Sequence, residues 1–276
     1  MISESAKKTS RAAHAPSGRS SDLQGLGEPV LVARGLSKEF RGFQAVSGVD
    51  LSVARGSIHA LIGPNGAGKT TCFNLLTKFL APSSGEIIYK GRDITRTKPA
   101  DVARLGLVRS FQISAVFGRL TVLENVRIAL QRRKRGDSFD FWRSERVLHA
   151  LDGEALALLE EVGLAAYSAA PALSLSYGRK RALEIATTLA LDPDMLLLDE
   201  PMAGMGREDV EQTASLIRHV SVGRTILMVE HNLSVVAELS DRITVLARGR
   251  ILAEGDYATI SKDPRVVEAY LGARHD

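Results

Sequence analysis

An α/β fold carrying an inserted α-helical subdomain is predicted for this 276-residue chain by three observations. Short apolar runs that end in polar residues alternate with helix-like segments toward both ends of the chain. The middle, from about residue 113 to 191, carries helical periodicity alone. A glycine-rich stretch, "GPNGAGKTT" at Gly63–Thr71, lies between a strand signal and a helix signal.

The elements follow in order. Residues 1–29 are rich in Ser, Ala, Gly and Arg, have no apolar period, and read as a disordered tail. A transit peptide is the rival reading, opposed by Glu4 and the missing amphipathic face. "AVSGVDLSVARGSIHALIG" reads as strand, glycine turn at Gly56, strand. A helix from Lys69 to about Phe79 follows the glycine-rich stretch, and "SGEIIYKG" is another strand. "KPADVARLG" is a short helix with Pro99 near its start and Gly106 just past its end.

The middle opens on "TVLENVRIALQ", whose Thr121 and Glu124 have capping-box spacing. "DGEALALLEEVGL" is a second helix stopped near Gly163, and Leu175 to Leu191 a third. Then "MLLLDE" and "TILMVEH" read as buried strands, with the helix "GREDVEQTASLIRHV" between them. "RITVLARGRILAEG" is a hairpin turned at Gly249, and "DPRVVEAYLG" a closing helix.

Composition bounds the function without choosing it. At 45% hydrophobic and 25% charged residues the chain reads as globular, with length enough for a sizeable core. A net charge of +4 permits an anionic membrane surface or nucleic acid as partner and requires neither. The single cysteine, Cys72, excludes an internal disulfide and reads as a small packing residue. No apolar run approaches the roughly 18 residues of a membrane span, and no apolar signal core follows the start. A cytosolic location is expected.

Gly63, Gly68, Lys69 and Thr70 match G-x-x-x-x-G-K-[ST]. The glycines let successive N–H groups curl inward around an anion, and the following helix adds its positive end. Lys69 supplies a point charge to β- and γ-phosphates, and Thr70 offers a hydroxyl to Mg²⁺. In open α/β sheets, ligands bind beyond the carboxyl ends of strands. Asp199 and Glu200 follow directly on the strand Met195–Leu198, where Asp199 suits Mg²⁺ held through water and Glu200 suits a base that deprotonates water. His231 ends the next strand and is expected to contact a γ-phosphate. Gln112, after "LGLVRSF", is as consistent with a polar loop residue as with a functional one. Phe40, on residue chemistry alone, reads as a core aromatic. "QRRKRGDSFDFW" at 131–142 reads first as a solvated loop, second as a contact for lipid headgroups or a membrane subunit, and last as a single-strand nucleic-acid site.

Together these motifs resemble the nucleotide-binding subunit of an ATP-binding-cassette transporter over about residues 30–272. Walker A is "GPNGAGKT", the Q-loop lies at "RSFQ", the signature helix at "LSYGR", Walker B at "MLLLDE", the D-loop at "AGMG" and the H-loop at "VEH". The resemblance implies a P-loop NTPase core, a RecA-like mixed sheet with an antiparallel β subdomain, and an inserted α-helical subdomain. It divides the chain into a core of 30–112 and 192–272 and a helical subdomain of 113–191.

In the family two subunits sandwich two ATP molecules head to tail. By that likeness Gly63, Pro64, Asn65, Gly66, Ala67, Gly68, Lys69, Thr70 and Thr71 bind ATP. Phe40 stacks on the adenine, and Ser176 and Gly178 face the partner's nucleotide. Thr70, Gln112 and Asp199 serve Mg²⁺, and Gln112 with Glu200 and His231 forms the catalytic set. "NLLTKFLAPSSGEI", "LSYGRKRALEIA" and "SKDPRVVEAYLG" are similar to the larger ATPase subunit of branched-chain amino-acid importers. Importers of urea and other amides have similar ATPases.

The partners so implied are a second ATPase subunit, identical or different, two membrane permeases and, indirectly, a periplasmic binding protein. The implied place is the cytoplasmic face of a bacterial inner membrane, with no nucleic acid bound. A non-transport ATPase of the same fold is the alternative. DNA-repair relatives carry long coiled-coil insertions and ribosome-associated ones two cassettes, and this chain has neither. A GTP switch needs an N-K-x-D stretch, which is absent. Three departures from the family pattern stand out: Tyr177 for the first signature Gly, Arg179 for its Gln, and Gly206 where the D-loop has Asp or Asn.

Overall fold

The computed structural model describes residues 27–110, 116–135 and 150–272. The expectations for residues 1–26, for Gln112 and for most of 131–142 therefore lie outside the described residues. Two sheets organise the rest. The first strand, β1 (Pro29–Phe40), runs into β2 (Phe43–Ala54) through Arg41 and Gly42, both at positive φ (49° and 88°). That pair matches the right-handed twist of the hairpin. β4 (Ser84–Tyr89) and β5 (Arg92–Asp93) complete a four-stranded antiparallel sheet in the order β2-β1-β4-β5.

The second sheet has six strands. It comprises β3 (Ile58–Ile62), β6 (Leu107–Arg109), β7 (Met195–Asp199), β8 (Thr225–Val229), β9 (Arg242–Ala247) and β10 (Arg250–Gly255). Their order is β10-β9-β3-β8-β7-β6, and only β10 runs antiparallel to its neighbour. The turn at Gly56 (φ 75°) does not fold β2 back onto β3. It carries the chain from one sheet to the other. The β9–β10 hairpin turns through Arg248 and Gly249, both at positive φ, as expected.

Strand alternation divides the core. Ile58, Ala60, Ile62, Leu196, Leu198, Ile226, Met228, Ile243 and Val245 face one side. Leu61, Met195, Leu197, Leu227, Val229 and Leu246 face the other. Both faces are covered, which is why these strands are mainly apolar along their length, with His59, Thr225 and Thr244 as buried polar exceptions. The second face packs on the antiparallel sheet and on α1 (Lys69–Leu76). α1 ends earlier than the expected Phe79. Lys78 takes a positive φ of 65° and the Thr77 hydroxyl donates to the Phe73 carbonyl, which closes the last turn. Phe40 is no core aromatic: it is 42% exposed at the hairpin tip, with the Lys38 ammonium 5.2 Å from its ring.

The short α2 (Pro99–Arg104) ends before Gly106, and the helical subdomain follows. It contains α3 (Val122–Arg135), α4 (Asp152–Glu161) and α5 (Tyr177–Leu189), with 3-10 turns at Ala165–Tyr167 and Ala172–Ser174 between α4 and α5. The capping box forms: Glu124 N donates to Thr121 Oγ1 at 3.1 Å, and Thr121 N to Glu124 Oε2 at 2.7 Å. The bonds that Thr121 N and Thr121 Oγ1 (2.8 Å) donate to Glu124 Oε2 hold that carboxyl below its ordinary range. α6 (Arg207–Val220), α7 (Leu233–Leu239), α8 (Tyr257–Ile260) and α9 (Pro264–Gly272) complete the fold. Among the described residues no helix is long and apolar enough to cross a membrane. Burial pushes the Cys72 thiol up to about 12, consistent with a packing residue.

His59, in β3, is fully buried with Nε2 2.8 Å from Thr244 Oγ1, and burial pushes its pKa down to about 3. Unfolded, it titrates near 6.5. Between those values the unfolded chain binds the extra proton, so acidification below pH 6.5 favours unfolding by up to about 1.4 kcal/mol per pH unit. His59→Gln is expected to flatten the fall in urea unfolding free energy between pH 7 and 5. Parallel pH profiles for the two proteins would contradict this assignment.

Candidate functional site

Parallel pairing of β3, β8, β7 and β6 delivers their carboxyl ends to one edge. The glycine-rich loop leaves β3, Asp199 and Glu200 leave β7, Glu230 and His231 follow β8, and Arg109 ends β6. The loop's shape depends on backbone that only glycine tolerates. Gly63 has φ 150°, and a Cβ there would lie 2.1 Å from the Leu246 carbonyl oxygen. At Gly68 (φ 97°) a Cβ would meet the Ala45 carbonyl oxygen at 2.6 Å. Gly63→Ala is expected to lower stability by at least the roughly 1–3 kcal/mol of such strain, read as a drop in the denaturant midpoint. An unchanged midpoint would show that the loop can move away from β9.

Inside this loop Lys69 is buried, and Nζ donates to the carbonyls of Gly63 and Pro64 at 2.7 and 2.9 Å. Burial lowers its pKa, and the Glu200 charge partly offsets that shift. α1 starts at the same point and has no acidic residue in its first turn. A buried ammonium bonded to carbonyls, next to an uncompensated helix N-terminus, suits a polyphosphate. Pro64 is half-buried and Ala67 fully buried, whereas Asn65, Gly66 and Thr70 are exposed and Thr71 is intermediate.

Asp199 is 11% exposed, and its Oδ2 accepts from Arg109 Nη2 at 2.5 Å. Arg109 also donates to Asn74 Oδ1 at 2.6 Å and lies over the rings of Phe73 and Phe79. Glu200 has a positive φ of 45°, and its Oε1 lies 2.6 Å from His231 Nε2. Both side chains are near two-fifths exposed, open to a substrate. Glu230, by contrast, is buried. Its Oε1 accepts from Met202 N and its Oε2 from the backbone N–H groups of His231 and Asn232. It ties the turn after β7 to the turn after β8.

The structure thus gathers Lys69, Asp199, Glu200 and His231 at one edge. Phe40 stands on the other sheet, whose β2 presses its Ala45 carbonyl toward Gly68. Ser176 is the exposed N-cap of α5, accepting from Arg179 N at 3.5 Å. Gly178 abuts α6, where a Cβ would meet Asp209 Oδ1 at 2.6 Å. Arg179 places its guanidinium carbon 4.3 Å from the Tyr167 ring centroid. Gly206 is the N-cap of α6 and supplies no capping side chain. Sequence reasoning passed over Arg109, Glu230 and Arg181, which look like ordinary surface charges until the fold half-buries the first and buries the other two. The signal for the first two was their place at or just past the end of an apolar strand.

Comparison with known proteins decides the family. The model of the ABC transporter family matches residues 46–203, more than half of the chain. The chain belongs to the ABC transporter family. It is an ATPase cassette of that family, and a second model, of branched-chain amino acid ATP-binding cassette transporters, matches residues 250–276. The chain is 37% identical over 253 residues to the high-affinity branched-chain amino acid transport ATP-binding protein LivG of Salmonella typhimurium, covering 90% of this chain and 99% of that one. It is 38% identical over 257 residues to BraF of Pseudomonas aeruginosa, with the same coverage. Among solved cassettes of the family, the structure is similar to an ADP conformation at TM-score 0.78 and 30% identity, covering 89% of this chain and 99% of that one. A nucleotide-free cassette gives 0.76 at 30% identity, covering 88% and 98%.

Proposed function

We propose that this chain binds and hydrolyses ATP as the motor subunit of an importer for branched-chain amino acids. The observation that carries the reading is the strand-end cluster of Lys69, Asp199 and the Glu200–His231 pair. It is supported by 36–38% identity to LivG and BraF over about nine-tenths of the chain.

The residues fit the nucleotide. The N–H groups of the loop from Gly63 to Thr71, other than at Pro64, which has none, cradle the phosphates, with Pro64, Asn65, Gly66 and Ala67 shaping the loop, and Lys69 moves from its carbonyl acceptors to β- and γ-phosphate oxygens. Phe40, exposed at the hairpin tip, stacks on the adenine. The oxygen donors Thr70 and Asp199, with Gln112, suit Mg²⁺. Among the described residues no cluster of three or more His, Cys, Asp or Glu offers a closed metal cage. A magnesium ion bound mainly by phosphates and water does not need one. When bound, Mg²⁺ neutralises charge on the phosphates. Glu200 takes a proton from water as that water's oxygen bonds to the γ-phosphorus and the bond to the ADP oxygen breaks. His231 orients Glu200 and donates toward the γ-phosphate.

Ser176 and Gly178 complete the site of a facing ATPase subunit, so ATP favours the closed pair. That differential affinity is what drives two membrane permeases between states. The subunit works peripherally at the cytoplasmic membrane face, fed by a periplasmic binding protein, with no nucleic acid involved. In a deletion strain, uptake of labelled leucine is expected to fall, to return with the wild-type gene and not with a Lys69→Ala copy, and to be competed by isoleucine and valine. Unchanged leucine uptake together with lost urea or amide uptake would move the solute class. A stable ATPase-active monomer bound to nucleic acid would overturn the transport reading.

A further inference from the structure

We propose that Arg181, seconded by Tyr177, is a positioning residue for Glu200, latching the start of α5 to the turn that carries the base. The inference rests on the reading of Glu200 as that base. Arg181 Nε donates to the Pro201 carbonyl at 3.0 Å, and Nη2 to the carbonyls of Glu200 and Asp199 at 3.0 and 3.3 Å. Nη1 pairs with Glu184 Oε2 one helical turn on. Tyr177 Oη donates to the Ala203 carbonyl at 2.9 Å. Residues 177 and 181 are four apart and so share one helix face. From that face the carbonyls of 199, 200, 201 and 203 all receive their side-chain donors.

Burial gives the contact its consequence. The side chains of Arg181 and Glu184 are 7% and 2% exposed. A guanidinium so placed persists only where its donors are used, and here each of its three nitrogens is. The turn it holds is strained, because Glu200 sits at φ 45°. A lysine would preserve the charge but could not fork across three carbonyls. Without the guanidinium the Pro201 carbonyl would lose its side-chain donor and the Glu200 carbonyl would be left with the Ala203 N–H at 3.0 Å, so the turn would relax and the Glu200 carboxylate would swing away from His231. The helix that is latched begins at Ser176, so a shift at its N-cap is carried mechanically to the base of the same chain.

The test uses the full-length chain assembled with its transport partners. Arg181→Lys is expected to lower kcat roughly ten- to a hundredfold, as small misplacements of a catalytic group do. The KM for ATP and the affinity for a fluorescent ATP analogue should stay within about twofold of wild type. Tyr177→Phe, at a half-exposed ring, should lower kcat by a smaller factor with the same unchanged affinity, and it decides the matter if Arg181→Lys does not fold. Adding Arg181→Lys to Glu200→Gln should cost nothing further, since both act through one carboxylate. The proposal is overturned by wild-type kcat in both single variants, by parallel losses of kcat and affinity, or by a further additive loss in the double variant. Near-normal turnover of Glu200→Gln alone would instead remove the underlying reading of the base, whatever Arg181→Lys does.

Discussion

Glu200→Gln is expected to slow ATP hydrolysis by about a hundred- to ten-thousandfold while ATP still binds. That range is the usual contribution of a positioned general base. The amide has nearly the volume of the carboxylate and can still bond His231 Nε2, so the turn after β7 should survive. What it lacks is a basic oxygen to take a proton from water. On the proposed reading the loop 63–71 and Lys69 hold the nucleotide, so binding should be spared. The measurement is steady-state phosphate release beside equilibrium binding of a fluorescent nucleotide. Turnover close to wild type would show that another group deprotonates the water.

Lys69→Ala is the second large effect. The ammonium is buried and donates to the carbonyls of Gly63 and Pro64, so its charge is poised to leave them for phosphate oxygens. A hydrogen bond to a charged group is worth about 1.5–3 kcal/mol, and each 1.4 kcal/mol is tenfold in affinity. Loss of contacts to two phosphates should therefore weaken ATP binding by about a hundredfold or more. Adenosine, which has no phosphate, should bind no worse than to wild type. Isothermal titration with both ligands separates the outcomes, and an unchanged ATP affinity would count against the loop as the phosphate site. A thermal melt guards against collapse. The alanine leaves two carbonyls without their donor but also removes a desolvated charge, so the fold should persist.

Much of this site was legible before any coordinates. The loop could be read because its glycines answer to backbone stereochemistry, and Gly63 and Gly68 do sit at positive φ against neighbouring carbonyls. The strand ends at Asp199, Glu200 and His231 could be read because apolar runs of five residues with polar tails are local patterns. So could the Thr121–Glu124 box, whose partners are three residues apart. Phe40 misled, since an aromatic side chain does not announce whether its strand end is covered. The strand–turn–strand at Gly56 could be read too, but a glycine turn between two strands does not say whether they share a sheet, and these two do not.

What the sequence determined by itself is the set of elements and the chemical types at their ends, because periodicity, caps and turn stereochemistry act over a few residues. Only the tertiary structure decided which charges would be buried together. Arg109 meets Asp199 across 90 positions, Glu230 meets Met202 across 28, and Arg181 meets the 199–201 carbonyls across 18 to 20. Such pairs follow from sheet order and from the desolvation of charged groups, which forces each to find a donor or acceptor wherever the fold has brought one.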